Sequence, residues 1–368
     1  MRLVIVGAGV VGAACAYEAG GLGAEVVLVD AELPGQATAA GAGIICPWTS
    51  HADDEAWYAF GCAAARRYPA LVAELTDNGA GDVSYRQVGA LIITRDEDEA
   101  GQECRRILDL RAASPDIGEV RTVSEKEALA LFPPLRPGSA GVWIGGAGRV
   151  DGRRLRASLV RAARGRGAAV VAGRARLACR AGRVAGVEID GQLTEADAVV
   201  AATGAWTAAF LEPAGVVVRV TPERGQIIHL RLGSADTSRW PVILPAASGH
   251  YLVAFEDSRI VAGATREPGA GFDARVTAGG LREVLAQALA VAPGLASATH
   301  LENRVGLRPA GPDTRPLLGP VSGVAGLVVA TGLGASGLTL GPLTGIVAAR
   351  TALGVDQPTD LSPFDPLR

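Results

Sequence analysis

The chain has 368 residues, of which 49% are apolar and 20% charged, with a formal net charge of −3. That is enough chain for a large core and two domains. The near-neutral balance offers no basic face for nucleic acid, and no stretch reaches the ~20 uninterrupted apolar residues of an integral membrane segment.

The first apolar run, Leu3-Val4-Ile5-Val6, is followed at once by glycines, so no signal peptide is expected and a cytoplasmic protein is. The run predicts a buried parallel strand. Gly7-Ala8-Gly9-Val10-Val11-Gly12 comes next, then an alanine-rich helix. In such a Gly-x-Gly-x-x-Gly turn the first glycine allows the tight bend. The second lets a pyrophosphate approach the backbone, and the third lets helix and strand pack closely. The helix start then offers free N–H groups to the phosphates. A second apolar run, Val26 to Val29, ends at Asp30, where the acceptor for a ribose hydroxyl belongs.

Residues 34–47 form a loop of very small side chains, which predicts backbone lying against something flat or bulky. The spacing then predicts a helix over 53–78, a strand over 88–94 and a charged helix over 97–113. Ser124-Glu125-Lys126-Glu127 reads as a capping box opening another helix, ended by Pro133-Pro134. A short strand at 141–144 follows, then a helix from 149 to 164 and strands at 167–171 and 183–189. Residues 197–206 read as a buried strand running into a glycine turn. Four antiparallel strands are expected at 216–220, 226–232, 251–255 and 259–262, then a helix at 281–290.

Near the end, a strand over 327–330 leads into Gly332-Leu333-Gly334-Ala335-Ser336-Gly337 and a helix over 338–353. No second strand precedes Asp356, so this turn does not read as a second dinucleotide site. It reads as a helix start able to hold an anionic or electron-rich group by its N–H donors. The dinucleotide fold is therefore interrupted, with strands from the start, middle and end of the chain. Cys15, Cys46, Cys62, Cys104 and Cys179 are scattered and odd in number, and His51, His229, His250 and His300 have no ligand spacing. No disulfide scaffold and no metal site are expected.

Six motifs in order carry a family likeness. They are the Gly7/Gly9/Gly12 turn, the small-residue loop from Thr38 to Pro47, Ala202-Thr203-Gly204-Ala205-Trp206, His250-Tyr251-Leu252-Val253, Gly306-Leu307-Arg308-Pro309 and the last glycine turn. Over nearly the whole chain the sequence resembles the flavoprotein amine and D-amino-acid oxidases, the group with glycine oxidase, D-amino-acid dehydrogenase and sarcosine oxidase. The resemblance implies an α/β protein. An interrupted Rossmann-like FAD-binding domain would be built from 1–48, 146–214 and 300–368. A second α+β substrate domain on an antiparallel sheet would come from 49–145 and 215–299.

It also implies FAD. Gly7, Gly9 and Gly12 would hold the pyrophosphate and Asp30 the adenosine ribose, where the family usually has Glu. Thr38, Ala39, Ala40, Gly41, Gly43 and Ile44 would pass along the cofactor, with the Arg176 backbone near the adenine. Thr203, Gly204 and Trp206 would close on it. Gly332, Leu333, Gly334, Ala335, Ser336, Gly337, Leu338 and Thr339 would touch the flavin ring. Arg308 matches the arginine that pairs with the substrate carboxylate, and Tyr251 a tyrosine that binds the same group. Many relatives carry histidine where Leu333 stands. No cysteine lies at 332–338, so non-covalent FAD is expected.

The implied reaction is oxidative deamination of D-amino acids by hydride transfer from the α carbon to flavin N5. It needs no side-chain base, in keeping with a chain that has no nucleophile–base arrangement. Oxygen, a quinone or another acceptor would take the electrons. The alternatives are a glycine, sarcosine or other secondary-amine (D-proline-type) oxidase or dehydrogenase, and a flavin-carrying subunit that needs a protein partner. An NAD dehydrogenase is the reading without the family likeness.

Overall fold

The computed structural model describes residues 1–50, 53–111 and 114–368; His51 and Ala113, the expected end of a helix, lie outside them. Among the described residues a six-stranded sheet has the order Leu317–Pro320, Leu327–Thr331, Ala198–Ala201, Arg2–Val6, Glu25–Asp30 and Ala169–Ala172. All its pairs are parallel except Leu317–Pro320 with Leu327–Thr331. The first strand sits between its neighbours in register, Leu3 beside both Ala198 and Val26.

Both faces of this sheet are covered, which is why its strands read as unbroken apolar runs. Successive side chains point to opposite faces. Leu3, Ile5 and Leu28 join one core cluster with helices Val10–Gly21 and Gly337–Leu353. Val4, Val6, Val27 and Val29 join the other, with Leu177, Val187 and Phe210. Full burial of each such side chain contributes about 1.5–3 kcal/mol. Glycines bring the two helices together. A Cβ at Gly345 would lie 2.2 Å from the Val11 carbonyl oxygen, and one at Gly341 2.6 Å from the Val10 side chain.

The second large sheet is mixed. It runs Glu267–Pro268, Thr221–Arg231, Arg259–Gly263, Tyr251–Ala254, Val242–Pro245, Ala90–Thr94, Ala140–Ile144 and Val120–Val123, with Thr299–Ala310 also paired to Thr221–Arg231. Most pairs are antiparallel, as expected for this half; Val242–Pro245 beside Ala90–Thr94 is parallel. Thr299–Ala310 was not foreseen as a strand. His300, Glu302, Asn303, Arg304 and Arg308 mask its pattern, and these side chains sit in ion pairs and hydrogen bonds.

Residues 216–220, expected as a strand, pair with nothing. Val218 and Val220 are apolar because they pack against the six-stranded sheet, while Val217 is 81% exposed. The capping box at Ser124 is present, with Glu127 Oε2 accepting from the Ser124 amide at 3.0 Å. No described helix is long and apolar enough to cross a membrane.

Candidate functional site

The first glycine turn is built as its sequence dictates. Gly7 has φ of +99°, and a Cβ there would lie 2.4 Å from the Ala202 carbonyl oxygen. A Cβ at Gly12 would lie 1.8 Å from the Gly7 carbonyl oxygen. Helix Val10–Gly21 has no side-chain cap at Gly9, although the Thr38 hydroxyl accepts from the Val10 amide at 3.0 Å. Asp30, 6% exposed, braces the turn. Its Oδ2 accepts from the Ala8 amide at 2.5 Å, and its Oδ1 accepts from the Glu32 amide at 2.6 Å and from Gln36 Nε2 at 2.7 Å. Arg156 reinforces the turn by donating from Nε to the Ala8 carbonyl at 2.6 Å.

The last glycine turn is the counterpart. Helix Gly337–Leu353 starts at Ser336 with no side-chain cap, and nothing stands within 4 Å of a Cβ built at Gly334 or Gly337. Tyr68 donates its hydroxyl to the Leu338 carbonyl, and Thr339 Oγ1 donates to the Ile44 carbonyl at 2.9 Å. The two turns line one cavity of about 480 Å³, within the usual range for small-molecule sites. Two helix starts on one cavity, neither capped by its own N-cap side chain, suit a ligand with a pyrophosphate and an electron-rich ring. Gly204, Gly334 and Gly337 also line the cavity, and nothing stands within 4 Å of a Cβ built at any of them, so the wall there is open to close backbone approach by that ligand. On this test the residues fit FAD.

Of the residues singled out in the sequence, most share this cavity. Gly7, Gly9, Asp30, Thr38, Ala40, Gly41, Gly43 and Ile44 line it, as do Thr203, Gly204 and Trp206. From the last turn Leu333, Gly334, Ala335, Gly337 and Leu338 line it, and so do Tyr251 and Arg308. Gly12, Ala39, Gly332, Ser336 and Thr339 do not line it. Arg176 does not line it. It is 69% exposed and faces Glu188 at 3.7 Å, while Gly173, Arg174 and Ala175 form that part of the wall. Side chains alternate along strand Ala175–Arg180, so Arg176 faces outward while the start of the strand keeps the cavity wall.

The far end of the cavity holds a cationic pair. Strands Thr221–Arg231 and Thr299–Ala310 pair with Glu223 opposite Arg308. Arg308 donates from one terminal nitrogen to Glu223 Oε1 at 2.7 Å and to the Thr265 carbonyl at 3.0 Å. Gly225 leaves room for this head, since a Cβ there would lie 2.4 Å from the other terminal nitrogen. Arg266 also lines the cavity and approaches the same Glu223 oxygen at 3.4 Å. Burial pushes the Tyr251 phenol above its ordinary value, and Arg308 and Arg266 oppose that shift, so the phenol is neutral and stands ready to donate. The Arg308 strand also touches the cofactor loop: the Leu307 amide donates to the Gly35 carbonyl at 2.8 Å, and a Cβ at Gly306 would lie 3.0 Å from Ala40. That contact is one reason the loop is made of small residues.

Arg266, Gly225, Glu223 and the 173–175 wall were missed in the sequence. None belongs to a contiguous motif, and only strand pairing brings them to the cavity.

The FAD dependent oxidoreductase (DAO) family matches residues 2–351. An uncharacterized oxidoreductase of Bacillus subtilis is 46% identical, covering 99% of this chain and 98% of that protein. Iminodiacetate oxidase from Chelativorans sp. BNC1 superposes with a TM-score of 0.96 at 45% identity, covering 99% of both chains. Glycine oxidase from Geobacillus kaustophilus superposes with a TM-score of 0.90 at 28% identity, covering 100% of this chain and 99% of that one.

Proposed function

The chain belongs to the DAO family of FAD dependent oxidoreductases, and on that premise we propose that it oxidises a secondary amino acid bearing two carboxylates, of the iminodiacetate class. The observation that carries this reading is the pair Arg308 and Arg266, two guanidinium groups on one cavity that share a single carboxylate, Glu223. The two guanidinium groups together outweigh the one carboxylate, and both residues line the cavity. A guanidinium fork matches a carboxylate in shape as well as charge. Iminodiacetate oxidase, at 45% identity, supports the choice.

In this reading Arg308 and the neutral Tyr251 phenol hold the carboxylate next to the reacting carbon, and Arg266 holds the distal one. The Gly334–Leu338 turn and the first glycine turn would hold the cofactor, and Ile227 and Leu333 put apolar surface on the cavity. FAD, when bound, would supply the two-electron acceptor for oxidation of the carbon beside nitrogen. The oxidised product is an imine, which water would cleave to a 2-oxo acid and an amine. For iminodiacetate these are glyoxylate and glycine. The protein's part is positioning and charge, and it needs no side-chain base. None of the five cysteines lines the cavity, which supports non-covalent FAD.

A D-amino acid is the second reading. Arg308 and Tyr251 alone suit its carboxylate, and Ile227 and Leu333 offer apolar surface for a side chain. Turnover of iminodiacetate, sarcosine, glycine, D-alanine and D-proline separates the two. Preference for iminodiacetate that Arg266→Gln abolishes supports the first reading; preference for D-alanine that survives the substitution supports the second.

A further inference from the structure

We propose that Glu223 is the positioning residue that makes this site selective for dicarboxylates, by holding Arg266 in place beside Arg308. The proposal rests on the dicarboxylate reading above and adds to it a residue that meets neither cofactor nor substrate. Glu223 is not part of the cavity wall. It lies directly across the ladder from Arg308, and Pro268 is its partner on the other side, next to the segment that carries Arg266.

One oxygen of Glu223 serves both cations, at 2.7 Å for Arg308 and 3.4 Å for Arg266. The two nitrogens are thus held within about 6 Å of each other, a spacing that like charges resist unless an anion bridges them. The two arginines depend on that bridge unequally. Arg308 is 14% exposed and keeps a second hold on the Thr265 carbonyl and its niche over Gly225. Arg266 is 58% exposed, and among the described residues Glu223 is its one ion-pair partner. Without the Glu223 charge, Arg308 stays and Arg266 swings to solvent. The site then keeps one carboxylate anchor and loses the other.

The test uses the FAD-loaded protein and two inert probes. Glutarate is iminodiacetate with CH2 in place of NH, and butyrate stands in the same relation to sarcosine. Their dissociation constants are read from the perturbation of the flavin spectrum, so no turnover is needed. Glu223→Gln, which keeps the side-chain shape, raises the glutarate constant about tenfold and the butyrate constant by less than about threefold. In turnover the loss falls on KM for iminodiacetate more than on kcat. The double variant Glu223→Gln/Arg266→Gln binds glutarate no more weakly than Arg266→Gln alone, because the two residues act as one unit.

Equal weakening of both probes makes Glu223 a general structural support and overturns the proposal, as do additive losses in the double variant. If wild type favours glutarate over butyrate and Glu223→Gln keeps that preference, the role of Glu223 falls while the dicarboxylate reading stands. If wild type shows no preference, both fall.

Discussion

Gly225→Ala isolates the position of one guanidinium from the stability of the fold. The backbone at Gly225 is outside the left-handed region, so alanine is allowed there. Its Cβ would stand 2.4, 2.5 and 2.8 Å from three atoms of the Arg308 head, where ordinary contact begins near 3.4 Å. The head must therefore retreat by about 1 Å, which a flexible side-chain end can do without disturbing the sheet. It leaves the position set by Glu223 and the Thr265 carbonyl. A misplacement of about 1 Å in a positioning group costs on the order of 100-fold in rate, or about 2.7 kcal/mol. The assay is kcat/KM for the best amino-acid substrate, with thermal unfolding and the flavin spectrum as controls. We expect a fall of about 100-fold with both controls unchanged. A variant within about threefold of wild type would refute the assignment of Arg308 as the carboxylate anchor.

Arg308→Ala removes the anchor outright and should cost about 2–5 kcal/mol of transition-state binding, measured as kcat/KM, with FAD retained. Gly345→Ala forces a Cβ to 2.2 Å from a backbone oxygen that cannot yield, so Tm should fall by several degrees or the protein should fail to fold. His229 gives a pH prediction. Burial, then Arg304 and Arg259, push its imidazole from 6.5 down to about 3. Its pKa is lower folded than unfolded, so the unfolded chain binds the extra proton. Stability is whole above pH 6.5 and drains away as pH falls toward 3, by about 2 kcal/mol at pH 5. Thermal unfolding between pH 7 and pH 4 should show this slope, and His229→Gln should flatten it.

The cofactor half was legible because its chemistry is local. Gly7, Gly9 and Gly12 lie within one turn, and at Gly7 and Gly12 a Cβ would strike a backbone oxygen. The small-residue loop was read as packed, and the partners are now visible in Gly306 and Leu338. Arg308 was legible only through the family likeness, for its own strand, Thr299–Ala310, hides behind charged side chains. Arg266, Glu223 and Gly225 could not be read at all. They meet through the pairing of three chain segments, and nothing in the sequence at 223, 266 or 308 sets that register locally. Residues 216–220 misled for the opposite reason, since apolar residues there serve packing and not pairing.

The most direct test of the account is anaerobic reduction of the FAD-loaded protein by iminodiacetate, beside sarcosine, glycine and a panel of D- and L-amino acids. The account predicts that iminodiacetate bleaches the yellow flavin fastest, with glyoxylate and glycine as products. Readmitting air then shows whether oxygen is the acceptor. Faster bleaching by a D-amino acid, sarcosine or glycine, or a yellow protein that nothing in the panel reduces, would contradict it.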